Sequence, residues 1–117
     1  MSEFDAVWDL ERRMWLEGRA FYEVNLAADA VYAFPPPMGI FRGNDFVEHM
    51  GETGPCSAVT LHEQQTLALG EHAVLVYRGE GTAHDGSMRV SNCMSVYRKE
   101  TSGWKLCAHQ QTPLDSA

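Results

Sequence analysis

A chain of 117 residues with 44% hydrophobic and 21% charged residues has ordinary globular usage, which excludes disordered and fibrous classes and fits one domain spanning 1–117. Sixteen acidic against nine basic residues give a formal charge of −7, so the broad positive field that phosphate-backbone binding needs is missing and no nucleic-acid partner is expected. No stretch reaches the roughly 20 apolar residues of a membrane span, the start Met1-Ser2-Glu3-Phe4-Asp5 has no signal-peptide character, and Cys56, Cys93 and Cys107 form no C-x-x-C pair, so a cytoplasmic protein with reduced thiols and no membrane partner is expected.

In chain order, Ser2 and Asp5 make a capping pattern ahead of Phe4, Val7, Trp8, Leu10, Met14 and Trp15. Their i, i+3, i+4 spacing predicts an amphipathic helix ending near Gly18. A second helix is predicted over Arg19 to Leu26, anchored by Phe21 and Tyr22. Val31 to Phe34 reads as a strand stopped by Pro35-Pro36-Pro37, and Gly39 to Gly43 as a brief return strand. Asn44 should cap a third helix that buries Phe46, Val47 and Met50, followed by a loop from Gly51 to Pro55. Then come four strands rich in Val, Thr and Tyr: Ala58 to Leu69, Ala73 to Ala83, Met88 to Lys99 and Trp104 to Thr112. Helices first and an antiparallel meander after predict an α+β fold.

Turn geometry sets register, and register sets faces. Reading Asp85-Gly86 as a two-residue turn pairs Tyr77 with Met94 and Gly79 with Asn92. The core face then holds Ala73, Leu75, Tyr77, Gly79, Gly81, Val90, Asn92, Met94 and Val96, with Asn92 as its polar member. The two glycines let the sheet bend or a ligand approach. Reading Thr101-Ser102-Gly103 as a three-residue loop pairs Glu100 with Trp104, and adds Trp104, Leu106, Ala108 and Gln110 to that face. A one-residue slip would exchange Gln110 for His109. The opposite face keeps Val74, Val76, Tyr97 and Cys107, an apolar patch that predicts a covering partner, most economically a second copy in a homodimer.

Glu11 sits at the angular centre of the first helix's apolar stripe, so it must be paired, protonated or lining a cavity. Asn92 is either a ligand-binding amide or a core amide satisfied by backbone. Tyr32 and Tyr77 can offer phenolic donors, and Trp15 either packs the core or walls a pocket. The five histidines show no H-x-x-x-H or H-x-H spacing, so no metal site is expected. Gly79-Glu80-Gly81 lacks the third glycine and following helix of a dinucleotide fingerprint.

The chain resembles the nuclear-transport-factor-2-like superfamily of cone-shaped α+β domains, near its ketosteroid isomerase and polyketide cyclase branches. The residues that carry the resemblance are Leu10-Glu11-Arg12-Arg13-Met14-Trp15, Leu26 to Tyr32, Ala73 to Arg78, Ser95-Val96-Tyr97-Arg98 and Gly103-Trp104-Lys105-Leu106 running into His109 to Pro113. The resemblance implies N-terminal helices packed on a strongly curved antiparallel sheet, a pocket between them, homodimers and no obligatory cofactor. Ketosteroid isomerase carries a basic aspartate just before the proline that ends its first short strand. Phe34 stands there in this chain, so isomerisation by that base is not expected. Asp29 matches an acidic residue that is structural in the superfamily. The expected function is binding of a small, largely apolar or aromatic molecule, with Trp15, Tyr32 and Tyr77 as walls and Glu11, Asn92 and Gln110 (or His109, by register) as polar anchors. The alternatives are a cofactor-free isomerase, cyclase or hydrolase using Glu11 as general acid or base, and a protein-interaction module.

Overall fold

Ser2 starts the first helix as its capping pattern requires: the Phe4 N–H donates to Ser2 Oγ (3.0 Å) and the Ser2 N–H to the Asp5 carboxylate (3.2 Å). In the computed structural model, which describes residues 2–50 and 54–114, helix α1 (Phe4–Glu17) buries Val7, Glu11, Met14 and Trp15 on one stripe. Gly18, at φ +67°, breaks the chain direction between α1 and α2 (Arg19–Asn25). Leu26, expected in α2, instead opens strand β1 (Leu26–Phe34), which begins five residues before the predicted Val31. The proline run ends β1, and β2 (Gly39–Arg42) returns antiparallel to it.

The predicted third helix is a single 3-10 turn, Val47–His49. Asn44 contributes its carbonyl, which accepts the Val47 N–H at 3.0 Å, rather than a side-chain cap. Val47 and Met50 are buried as expected. Of the loop predicted from Gly51 to Pro55, residues 51–53 lie outside the described residues.

Strands β3 (Cys56–Leu69), β4 (His72–Ala83), β5 (Met88–Glu100) and β6 (Gly103–Pro113) complete a six-stranded sheet in the order β2-β1-β6-β5-β4-β3. Every neighbouring pair is antiparallel except β1 and β6, which run parallel. Bulges interrupt β3 twice and the β5–β6 ladder once, places where a sheet bends and twists. Helix α1 lies over β3 and β4, and α2 reaches β1 and β6, so the fold is α+β with its core between the helices and one sheet face. Among the described residues no helix is long and apolar enough to cross a membrane.

The two hairpin loops exchange the geometries expected of them. After β4 the Gly86 N–H donates to the Ala83 carbonyl, the Ala83 N–H donates to the Ser87 carbonyl, and Gly86 sits at φ +89°. That is a three-residue loop with glycine in the left-handed position. After β5, Glu100 pairs with Gly103 across two residues, Thr101 and Ser102. Tyr77 therefore faces Cys93, not Met94, and every β5 side chain changes sides. Ser91, Cys93, Ser95 and Tyr97 are buried on the inner face, whereas Asn92 and Met94 are exposed on the outer one and Val96 is half-buried there. The predicted pairing of Met94 with Gln110 is recovered beyond the β5–β6 bulge, so Gln110 goes outward with Met94, and His109, opposite Ser95, goes inward.

An apolar outer face exists, with partly different members. Val31, Ile40, Val76 and Met94 are all exposed, and Tyr97 has left for the core. A shallow groove of about 290 Å³ runs between Val31, Ile40, Met94, Val96 and Ala108 on this face.

Candidate functional site

Trp15 reaches the sheet where two glycines let it. A Cβ on Gly79 would stand 2.5 Å from Trp15 Cζ2, and one on Gly81 would stand 2.9 Å from its Cε3. The glycines admit an indole from α1, where the sequence suggested bending or a ligand. The Trp15 Nε1–H then donates to Tyr77 Oη at 3.0 Å. Because an indole only donates, the Tyr77 proton is left to go elsewhere, and it goes to Glu11 Oε2 at 2.5 Å.

Glu11 has no exposed surface, and three hydroxyls converge on it. Besides Tyr77, Ser95 donates to Oε2 at 2.6 Å and Tyr97 to Oε1 at 2.8 Å. This is how a buried carboxylate is made tolerable: each oxygen receives hydrogen bonds from groups that stay protonated. Burial, and then the Glu11 charge, hold the Tyr77 and Tyr97 phenols well above their ordinary range. Among the described residues no arginine reaches Glu11. Arg12 pairs with Asp9, Arg13 with Glu17, Arg78 with Glu63, and Arg98 with Asp29 and Glu100. Asp29 on β1 thus pairs with Arg98 on β5, across the intervening β6.

His109 extends the network. Its Nδ1 lies 2.7 Å from Ser95 Oγ and 3.8 Å from Glu11 Oε2, and its Nε2 lies 3.0 Å from Gln111 Oε1. Ser95 has one proton; when it goes to Glu11, the Ser95 oxygen is left to accept from His109 Nδ1.

Gln111 carries the chain to a cavity of about 510 Å³ between α1, the proline run, β5 and β6. Trp15, Met14 and Phe34 line it, together with Pro35, Pro36, Pro37, Pro55 and Pro113, which are all five prolines of the chain. Its polar side chains are Tyr22, Arg89, Ser91 and Gln111.

The predicted site residues therefore divide. Trp15 is a wall, while Glu11 and Tyr77 lie behind it, outside the lining. Tyr32 is buried with its hydroxyl on the Gly43 carbonyl at 2.8 Å and does not line this cavity. Asn92 and Gln110 are on the outer face, and His109 is inside. Ser95, Tyr97, Arg89 and Gln111 were not singled out. The signal that finds them is Gly86 as the third residue of a loop, which alone turns β5 over.

Burial pushes the Cys93 thiol up to about 12 and also raises Cys56 and Cys107, which disfavours the thiolate form of each. All four tyrosines are raised, each chiefly by burial. A phenol whose folded pKa is raised stabilises the fold fully below the unfolded value and loses that contribution as pH rises through it. Stability should thus fall above pH about 10, with no phenolate absorbance at 295 nm until unfolding. Four tyrosines ionising near pH 10 in folded protein would contradict the closed network.

No family model matches the sequence, and no curated protein matches it. Solved structures do. A candidate ketosteroid isomerase from Parabacteroides distasonis superposes with a TM-score of 0.82 at 14% identity, over 98% of this chain and 90% of that one. A nuclear-transport-factor-2-like protein of unknown function in nutrient uptake from Rhodospirillum rubrum gives 0.75 at 19% identity, over 97% and 100%. The CaMKII hub of S. rosetta gives 0.69 at 16%, over 97% and 98%. Two helices against a six-stranded, mostly antiparallel sheet, closed by a parallel β1–β6 pair, are the nuclear-transport-factor-2-like fold, and this chain has it.

Proposed function

We propose that this protein is a single-domain, cytoplasmic binder of a small, largely apolar molecule, held between the helices and the sheet, and that it works as a homodimer. The observation that carries the reading is the cavity wall. Five prolines, aromatic rings and methionines make a rigid apolar surface with few polar groups, the composition of small-molecule sites. The dimer rests on exposed Val31, Ile40, Val76 and Met94 on the outer sheet face, and is supported by fold neighbours named as a hub and an association domain. The test has two arms. Light scattering on the eluted protein should give twice the 13.1 kDa chain mass, and Met94→Asp should give the chain mass itself. Calorimetry with neutral naphthalene-2-carboxamide should show saturable binding, one per protomer. No heat at about 1 mM probe, a Kd worth only about −4 kcal/mol, would sink the binding arm.

One observation favours a second reading. The hydrogen-bonded chain Glu11–Ser95–His109–Gln111 ends at the cavity wall, so a cofactor-free enzyme could draw its acid or base from it, with Glu11 acting through His109. Under that reading Glu11→Gln abolishes turnover of any substrate found; unchanged turnover removes it.

A further inference from the structure

We infer that the ligand carries a carboxylate-type monoanionic group, received by the Arg89 guanidinium and the Gln111 carboxamide in the cavity wall; this rests on the small-molecule reading above. Three observations lead there. First, of the nine basic residues, Arg12, Arg13, Arg78, Arg98 and Lys99 pair with carboxylates, and Arg19 and Lys105 donate to backbone carbonyls. Among the described residues only Arg42 and Arg89 have no such partner, and of these two only Arg89 lines the cavity. In a chain of net charge −7, a cation in the wall of an apolar cavity that makes no ion pair among the described residues marks a place for a ligand's negative charge.

Second, the buried network holds another donor in the wall of the same cavity. Gln111 presents Oε1 to His109 Nε2 at 3.0 Å, so its NH2 end faces away from the imidazole, with no protein acceptor among the described residues. A carboxylate accepts and does not donate, so it matches both groups. Third, Arg89, Ser91 and, across the ladder from Cys93, Gln111 fall on the inner face of adjacent strands β5 and β6. One guanidinium and one amide suit a two-oxygen monoanion, and the apolar remainder of the wall suits a ring or acyl body. The buried Glu11–Ser95–His109 chain is then a positioning device whose product is an oriented Gln111.

The test is calorimetry with naphthalene-2-carboxylate and its neutral isostere naphthalene-2-carboxamide. The wild-type protein should prefer the carboxylate by about tenfold or more, which is about 1.4 kcal/mol. Arg89 is exposed, so Arg89→Leu leaves the fold intact; it should erase the preference, costing the carboxylate about tenfold or more beyond any loss of carboxamide affinity. Gln111→Glu keeps an acceptor for His109 but removes the donor and adds a negative charge. It should cost the carboxylate more than about tenfold and the carboxamide far less. Equal affinity of the two probes for the wild type, or a preference that survives Arg89→Leu, overturns the inference and leaves the cavity reading standing. Binding of neither probe overturns both.

Discussion

Glu11→Gln is expected to destabilise the protein by about 3 kcal/mol or more, the usual scale for removing one partner of a buried charged network. The reason is the direction of the bonds around it. Tyr77, Ser95 and Tyr97 all donate to the carboxylate, and Tyr77 has no choice because Trp15 already donates to its oxygen. A glutamine keeps one acceptor oxygen and turns an NH2 group on donors, leaving at least one hydroxyl without its acceptor at a fully buried position. The melting temperature should fall by roughly 10 °C in a chain of this size. A change below about 1 kcal/mol would mean that the three hydroxyls have other acceptors and that Glu11 does not tie α1 to the sheet.

Gly79→Ala should cost about 1–3 kcal/mol, although it adds a single methyl group to a strand that would ordinarily welcome it. That methyl would occupy the place of Trp15 Cζ2, 2.5 Å away. The indole must retreat, which breaks its bond to Tyr77 and moves a wall of the cavity. Calorimetry should therefore show weakened carboxamide binding alongside the lower denaturation midpoint. Gly79→Ala protein with unchanged stability and unchanged binding would show that Trp15 has room to spare.

What could be read from the sequence followed the range of the signal. The burial of Glu11 came from helical periodicity over a few residues, which depends on nothing distant. Strand existence was equally local, and β3 to β6 begin and end within two residues of expectation. Faces were not local. On β4 the alternation of Ala73, Leu75, Tyr77 and the glycines is unambiguous, but β5 offers Val90, Met94 and Val96 on one side against Cys93 and Tyr97 on the other. Its side was therefore set by one loop, His84-Asp85-Gly86, whose glycine sits third rather than second. That single residue hid Ser95 and Tyr97, put Asn92 forward in their place, and favoured Gln110 over His109, which the sequence offered only as the alternative register. Arg89 and Gln111 went with it, since both belong to the face that was turned outward.

The parallel pairing of β1 with β6 has a consequence for how the chain reaches this state. β6 is an interior strand with β1 on one side and β5 on the other. Until it docks, both neighbours present open edges, and such edges invite association with other chains. Glu11 meanwhile waits for Ser95 and Tyr97, which lie 84 and 86 residues further along. Its carboxylate stays hydrated until late, so the loop-closure entropy of the whole domain opposes the step that finally dehydrates it. Folding should accordingly be slow for so small a chain, and a nascent chain lacking β6 is the species most in need of a chaperone.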